Sequence, residues 1–215
     1  LRQYSSNNLG EAEVVAGPQG ELRTTCPKRL HEAGAIGKWA GKVVIGDDEP
    51  RVINEVGFLE SSPTADSEGG DDVGRFDLIL FSKKTPPGGA EQWLALEVQS
   101  VYFSGNAMKP EFEAILKNES EKLGFPVGRR RPDYRSSATK RLLPQLQTKV
   151  IPLRRWGKKI AVVVDRSFFN SIGDIEAVDD ISNADIAWFI VGFDGDTGTD
   201  RSSLICQEVR YTTLE

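Results

Sequence analysis

The hydropathy pattern is dominated by two apolar runs, each interrupted by a carboxylate. The first is Arg75–Phe81, with Asp77 inside it; the second is Trp93–Phe103, with Glu97 inside it. Both have the length and composition of β-strands, and the Pro-Gly-rich segment Thr85–Ala90 reads as the turn between them. Upstream, Arg51–Leu59 alternates apolar and polar positions and reads as a strand or a helix end. Lys42–Gly46 reads as a short strand, and Arg29–Ala35 as a short helix. The acidic, turn-rich stretch Pro63–Gly74 reads as a surface loop.

Further along, Glu111–Lys117 reads as a short helix and Gly124–Ser137 as a basic loop without periodicity. Over Ala138–Trp156 the apolar residues Leu142, Leu143, Leu146, Val150, Ile151 and Leu153 fall close to helical spacing. Pro144 and Pro152 interrupt that pattern and predict a kink or a split helix. Ile160–Val164 and Ile186–Phe193 are nearly unbroken apolar runs, the mark of strands covered on both faces. Leu204–Thr213 alternates weakly and reads as an edge strand. The order predicts an α/β fold, a mixed β-sheet flanked by helices. Residues 1–50 read as an N-terminal arm with accessory elements, and residues 51–215 as the core.

The chain has 215 residues and an ordinary apolar fraction, enough for a conventional core. There is no apolar run long enough to span a membrane and no signal-peptide pattern, so a cytoplasmic setting is expected. Two cysteines, Cys26 and Cys206, make no disulfide framework, and with the lone His31 they do not supply a four-ligand zinc site. Cys26 reads as structural.

Charge changes the picture more. Between Val101 and Ile160 there are 14 Lys/Arg against 5 Asp/Glu, a net of +9, in a chain whose overall charge is -5. A basic block within an acidic protein suggests a polyanion bound on one surface. Arg129, Arg130, Arg131, Arg135, Lys140 and Arg141 are its densest part, suited to phosphate contacts with DNA.

An acid inside an apolar strand is costly to bury without compensation. A Mg²⁺ ion held by Asp77, Glu97 and the Val98 carbonyl would compensate both acids, because hard cations take oxygen ligands. Glu97 and Gln99 share a strand face. Gln99, an amide without a useful pKa, would orient a water or a phosphate oxygen. The plainer reading is that both acids are half-exposed and paired with Arg or Lys.

An Asp on one strand, followed about 20 residues later by Glu-x-Lys on the next, is the pattern of the PD-(D/E)XK nucleases. Phe76-Asp77 and Glu97-Val98-Gln99 resemble it, without the Pro and with Gln in the Lys position. Glu-x-Gln is the form found in NotI-like restriction endonucleases. Leu96–Gly105 and Lys140–Leu146 resemble segments of those enzymes too, and the likeness runs from about Arg51 to Asp194. It implies a restriction-endonuclease-like core, Mg²⁺-dependent cleavage of DNA, and a two-fold homodimer on a palindromic site. It also implies a third acid, for which Glu55 is the choice and Glu60 the alternative. The iron site of that family needs four cysteines, which this sequence does not supply. Pro132-Asp133 follows Glu97, in the wrong order for the motif, and Asp133 has no expected catalytic role. With Gln99 in place of lysine, a catalytically silent module that binds nucleic acid or a protein is the competing reading.

Overall fold

A computed structural model of the chain describes residues 4–6, 12–14, 23–24, 26–60, 72–84, 87–103, 109–110, 113, 117, 132–194 and 202–214. Arg129, Arg130 and Arg131 lie outside the described residues, as do most of the loop expected over 63–74 and of the helix expected over 111–117.

Strands β1 (Tyr4–Ser6) and β2 (Ala12–Val14) pair only with each other. A 3-10 segment, Pro27–Gly34, leads into helix α1 (Ala35–Ile45). Three antiparallel strands follow: β3 (Arg51–Glu60), β4 (Asp72–Phe81) and β5 (Trp93–Val98). The short β6 (Tyr102–Phe103) and β7 (Pro132–Asp133) pair, and α2 (Tyr134–Ser137) continues through a π-helical turn, Ala138–Leu142, into α3 (Leu143–Arg155). Next come β8 (Ile160–Asp165), α4 (Arg166–Ile172), β9 (Ala177–Val178), β10 (Ile186–Phe193) and β11 (Leu204–Thr212).

The main sheet has the order β3-β4-β5-β8-β10-β11-β9. β8 is parallel to both β5 and β10, and the other neighbours are antiparallel. This is the α/β arrangement expected, a mixed sheet between helical layers. β8 is buried along its whole length because both faces are covered. On one face, Leu142, Leu146, Val150 and Leu153 of the π turn and α3 pack on Phe76, Ile79, Ala95, Ile160, Val162 and Trp188. On the other, Leu30, Ile36 and Ala40 pack on Leu78, Leu80, Leu94, Leu96, Ala161 and Phe189.

Several local expectations are corrected: Trp93–Phe103 is not one strand, since β5 ends at Val98 and β6 is separate, and Pro132–Ser137 is strand and helix rather than loop. Lys42–Ile45 is the last turn of α1, not a strand. Ile36 and Ala40 recur at helical spacing and are buried, which overrides the β-branched run, and Gly46 ends the helix with a left-handed φ of 67°. The helix expected over Arg29–Ala35 is a 3-10 segment, Pro27–Gly34, with a non-helical break inside it at Glu32 and Ala33. Pro152 does not split the helix, since α3 runs through it to Arg155, whereas Pro144 follows closely on the π-helical turn that hands over to α3. Finally, β11 is not an edge strand over its whole length, since β9 pairs with its last residues. Of the tryptophans, Trp188 is buried, and Trp156 is half-exposed, packing edge-on against Phe58 and at a tilt against Trp93.

Candidate active site

The ladder between β4 and β5 ends at the pair Leu78↔Leu96. The next positions on the two strands are Asp77 and Glu97, so the acids face each other just beyond the last pair. In-and-out alternation along β4 slips at this point. Leu78 and Leu80 belong to one core layer and Ile79 and Phe81 to the other, yet Phe76 joins the layer of Ile79. The slip leaves Asp77 exposed between two buried residues. Its Oδ2 accepts a hydrogen bond from the Val98 N–H at 2.8 Å, which seats the carboxylate against the Glu97–Val98 peptide.

β3 deforms at the same level. Glu55 lies between the pairs Asn54↔Leu78 and Val56↔Phe76, opposite Asp77. Its φ is 50°, a left-handed conformation that a residue with a side chain adopts at some cost. The Glu55 side chain is largely exposed, with Oε2 at 3.9 Å from the Arg75 guanidinium. Glu60 pairs with Asp72 at the far end of β3, well away from Asp77.

Glu97 is buried. Lys149 of α3 reaches it, with Nζ donating to Oε1 at 2.6 Å, and also donates to the Arg75 carbonyl at 2.6 Å. Burial, and next the charge of Asp77, push the Glu97 carboxyl up from 4.5 to about 7, against the opposing pull of Lys149. Gln99 extends the contact with β8 by donating its N–H to the Val163 carbonyl at 3.0 Å. Its side-chain Nε2 donates to the Ser100 carbonyl at 2.7 Å.

These residues open onto one cleft of about 370 Å³. Asn54, Glu55, Asp77, Glu97, Val98 and Gln99 line it from the sheet, Pro27 and His31 from the 3-10 segment, and Tyr102 and Gln145 from the helical side. The cleft therefore brings together Asp77, Glu97, Val98, Gln99 and Glu55. At its mouth the Arg141 guanidinium lies 3.9 Å over the Tyr102 ring. Arg135 and Lys140 are exposed on the same helical stretch. Asp133 caps α2 by accepting the Ser136 N–H at 2.9 Å, and that bond holds its carboxyl low; it is a structural residue.

No group of three or more His, Cys, Asp or Glu that could hold a metal ion is present among the described residues. Two carboxylates in one cleft, one of them buried and lifted in pKa, still suit Mg²⁺, which commonly takes one or two protein carboxylates and fills its shell with water and substrate phosphate.

Among the residues without a predicted role are Lys149, which holds Glu97, and His31, which lines the cleft. Lys149 continues the spacing of Leu142 and Leu146 toward Leu153, so a lysine on an apolar helical stripe was the available signal. His31 carried no signal beyond being the chain's single histidine.

A family model for the restriction endonuclease NotI matches residues 1–204. The chain belongs to the NotI restriction endonuclease family. A comparison with curated proteins finds no match. As a member of the NotI family the protein is an enzyme acting on DNA, and the matched span includes every cleft residue named above.

Proposed function

We propose that the cleft is the catalytic centre of a Mg²⁺-dependent endonuclease of the PD-(D/E)XK type, cutting duplex DNA at a specific sequence. The observation that carries this is the placement of Asp77 and Glu97 at the next positions beyond the last β4–β5 pair, in a cleft shared with Gln99. Asp77, Glu97 and the Val98 carbonyl would hold the cation. Glu55, facing Asp77 from β3, is the third acid and serves a second cation or a water. A bound Mg²⁺ supplies neutralisation of phosphoryl charge and a lower pKa for a coordinated water. Gln99 orients the attacking water, since its amide hydrogen-bonds without exchanging a proton at neutral pH. Arg135, Lys140 and Arg141, with Arg129, Arg130 and Arg131, neutralise phosphates flanking the cleaved bond. A palindromic site would be read by a two-fold homodimer, whose symmetry mirrors that of the DNA.

The bond from the Gln99 side chain to the Ser100 carbonyl favours the second reading, a silent DNA-binding module, because it occupies one of the amide's donors. The two separate on incubation of duplex DNA, single strands and RNA with the protein in Mg²⁺ and in EDTA. Discrete duplex fragments in Mg²⁺ alone support the endonuclease. Retention of DNA with no cleavage under any condition supports the silent module.

A further inference from the structure

The β4–β5 ladder stops one residue short of the two acids; β3 and β8 hold the two strands from their outer sides, and across the gap Asp77 Oδ2 accepts the Val98 N–H at 2.8 Å. Their like charges favour separation. Lys149 bridges that gap. Its ammonium donates to Glu97 Oε1 on β5 and to the Arg75 carbonyl on β4, both at 2.6 Å. Arg75 is two residues from Asp77, so this cation adds a second tie between the two strands beyond the end of their ladder. The lysine is 5% exposed and lies 5.3 Å from the Phe76 ring centre, enclosed on a helix that also contributes Gln145 to the cleft. On the strand itself, position 99 offers a neutral amide.

We propose that Lys149 is a positioning residue of this site. It fixes the separation of Asp77 and Glu97, commits Glu97 Oε1, and leaves Oε2 for a cation. This rests on reading the cleft as a cation-dependent nuclease site.

The test measures, for wild type and Lys149→Met, the half-saturating Mg²⁺ for DNA cleavage, kcat at saturating Mg²⁺, and Ca²⁺ affinity by calorimetry. Removal of a group that orients a metal ligand raises the half-saturating Mg²⁺ by roughly 10–100-fold and weakens Ca²⁺ binding in parallel. Saturating Mg²⁺ returns kcat to within about threefold of wild type, since the chemical step does not use the lysine. Lys149→Arg, which keeps the charge, falls between the two. Where Lys149→Met does not fold, Lys149→Gln, which retains a donor for the Arg75 carbonyl, is read on the same scales. Unchanged half-saturating Mg²⁺ overturns the proposal, and so does a kcat loss that Mg²⁺ cannot restore. A wild type that neither binds Ca²⁺ nor cuts DNA instead overturns the nuclease reading on which the proposal rests.

Discussion

The Asp77 carboxylate accepts the Val98 N–H at 2.8 Å, so the acid of one strand is tied to the backbone beside the acid of the next. Asp77 therefore has a structural and a chemical role that substitutions can separate. Asp77→Asn retains a side-chain oxygen to accept that bond but loses the charge. Its stability is expected to stay within about 1 kcal/mol of wild type, the worth of one hydrogen bond. Cleavage is expected to fall by roughly 100-fold or more, the scale on which a charge-stabilising group is lost. Denaturant unfolding and cleavage rate, measured on one preparation, check both halves.

Glu97 predicts a pH dependence with a definite sign. Its carboxyl is raised from 4.5 to about 7, so the folded, metal-free protein favours the protonated form. The associated stability is present in full below pH 4.5 and is lost as the pH rises toward 7. The loss amounts to roughly 3 kcal/mol at 1.36 kcal/mol per pKa unit. Glu97→Gln lacks this dependence, so its stability relative to wild type rises by about that amount between pH 4.5 and pH 8. Urea unfolding of both proteins across that range would expose a flat difference, which contradicts the assignment. Because a cation needs the ionised carboxylate, the pH midpoint of cleavage shifts downward as Mg²⁺ is raised.

The buried pair of Lys149 and Glu97 predicts non-additive stability. Removal of one partner leaves a buried charge and costs about 3–5 kcal/mol when that charge persists. At pH 8, where Glu97 is ionised, Lys149→Met shows this cost, and at pH 6 it shows less. Combining Lys149→Met with Glu97→Gln recovers a large part of it. A double-mutant cycle at pH 8 measures the coupling, and additive effects would contradict the pairing.

The basic flank predicts changes in DNA affinity rather than in chemistry. Arg141→Ala removes a cation and uncovers Tyr102 at the cleft mouth. Arg141→Ala and Lys140→Ala each reduce the slope of log affinity against log salt by about 1, as for a lost phosphate contact. Fluorescence anisotropy in Ca²⁺ at several salt concentrations reads the slope directly. An Arg141→Ala slope equal to that of wild type would remove this residue from the interface.

Legibility from sequence followed the strength of the local pattern. β8 and β10 were readable because both faces of the sheet are covered, which leaves unbroken apolar runs. Asp77 and Glu97 stood out because a carboxylate in such a run conflicts with burial. The end of α1 was misread because Val43, Val44 and Ile45 are β-branched, and only packing through Ile36 and Ala40 shows the helix. Lys149 was hidden among the cations of the basic block, since charge counting does not separate a solvated lysine from one on a buried stripe. The left-handed backbone at Glu55 had no signal either, because no glycine or turn residue marks the position.

The proposed cutting centre is the pair Asp77 and Glu97. The most direct measurement is cleavage of supercoiled plasmid in Mg²⁺ by wild type, Asp77→Ala and Glu97→Ala, with DNA binding by each measured in Ca²⁺. Wild type is expected to linearise the plasmid at defined sites, while both variants bind DNA and do not cut it. Cleavage by either variant at the wild-type rate would contradict the assignment, as would DNA binding without cleavage by the wild type.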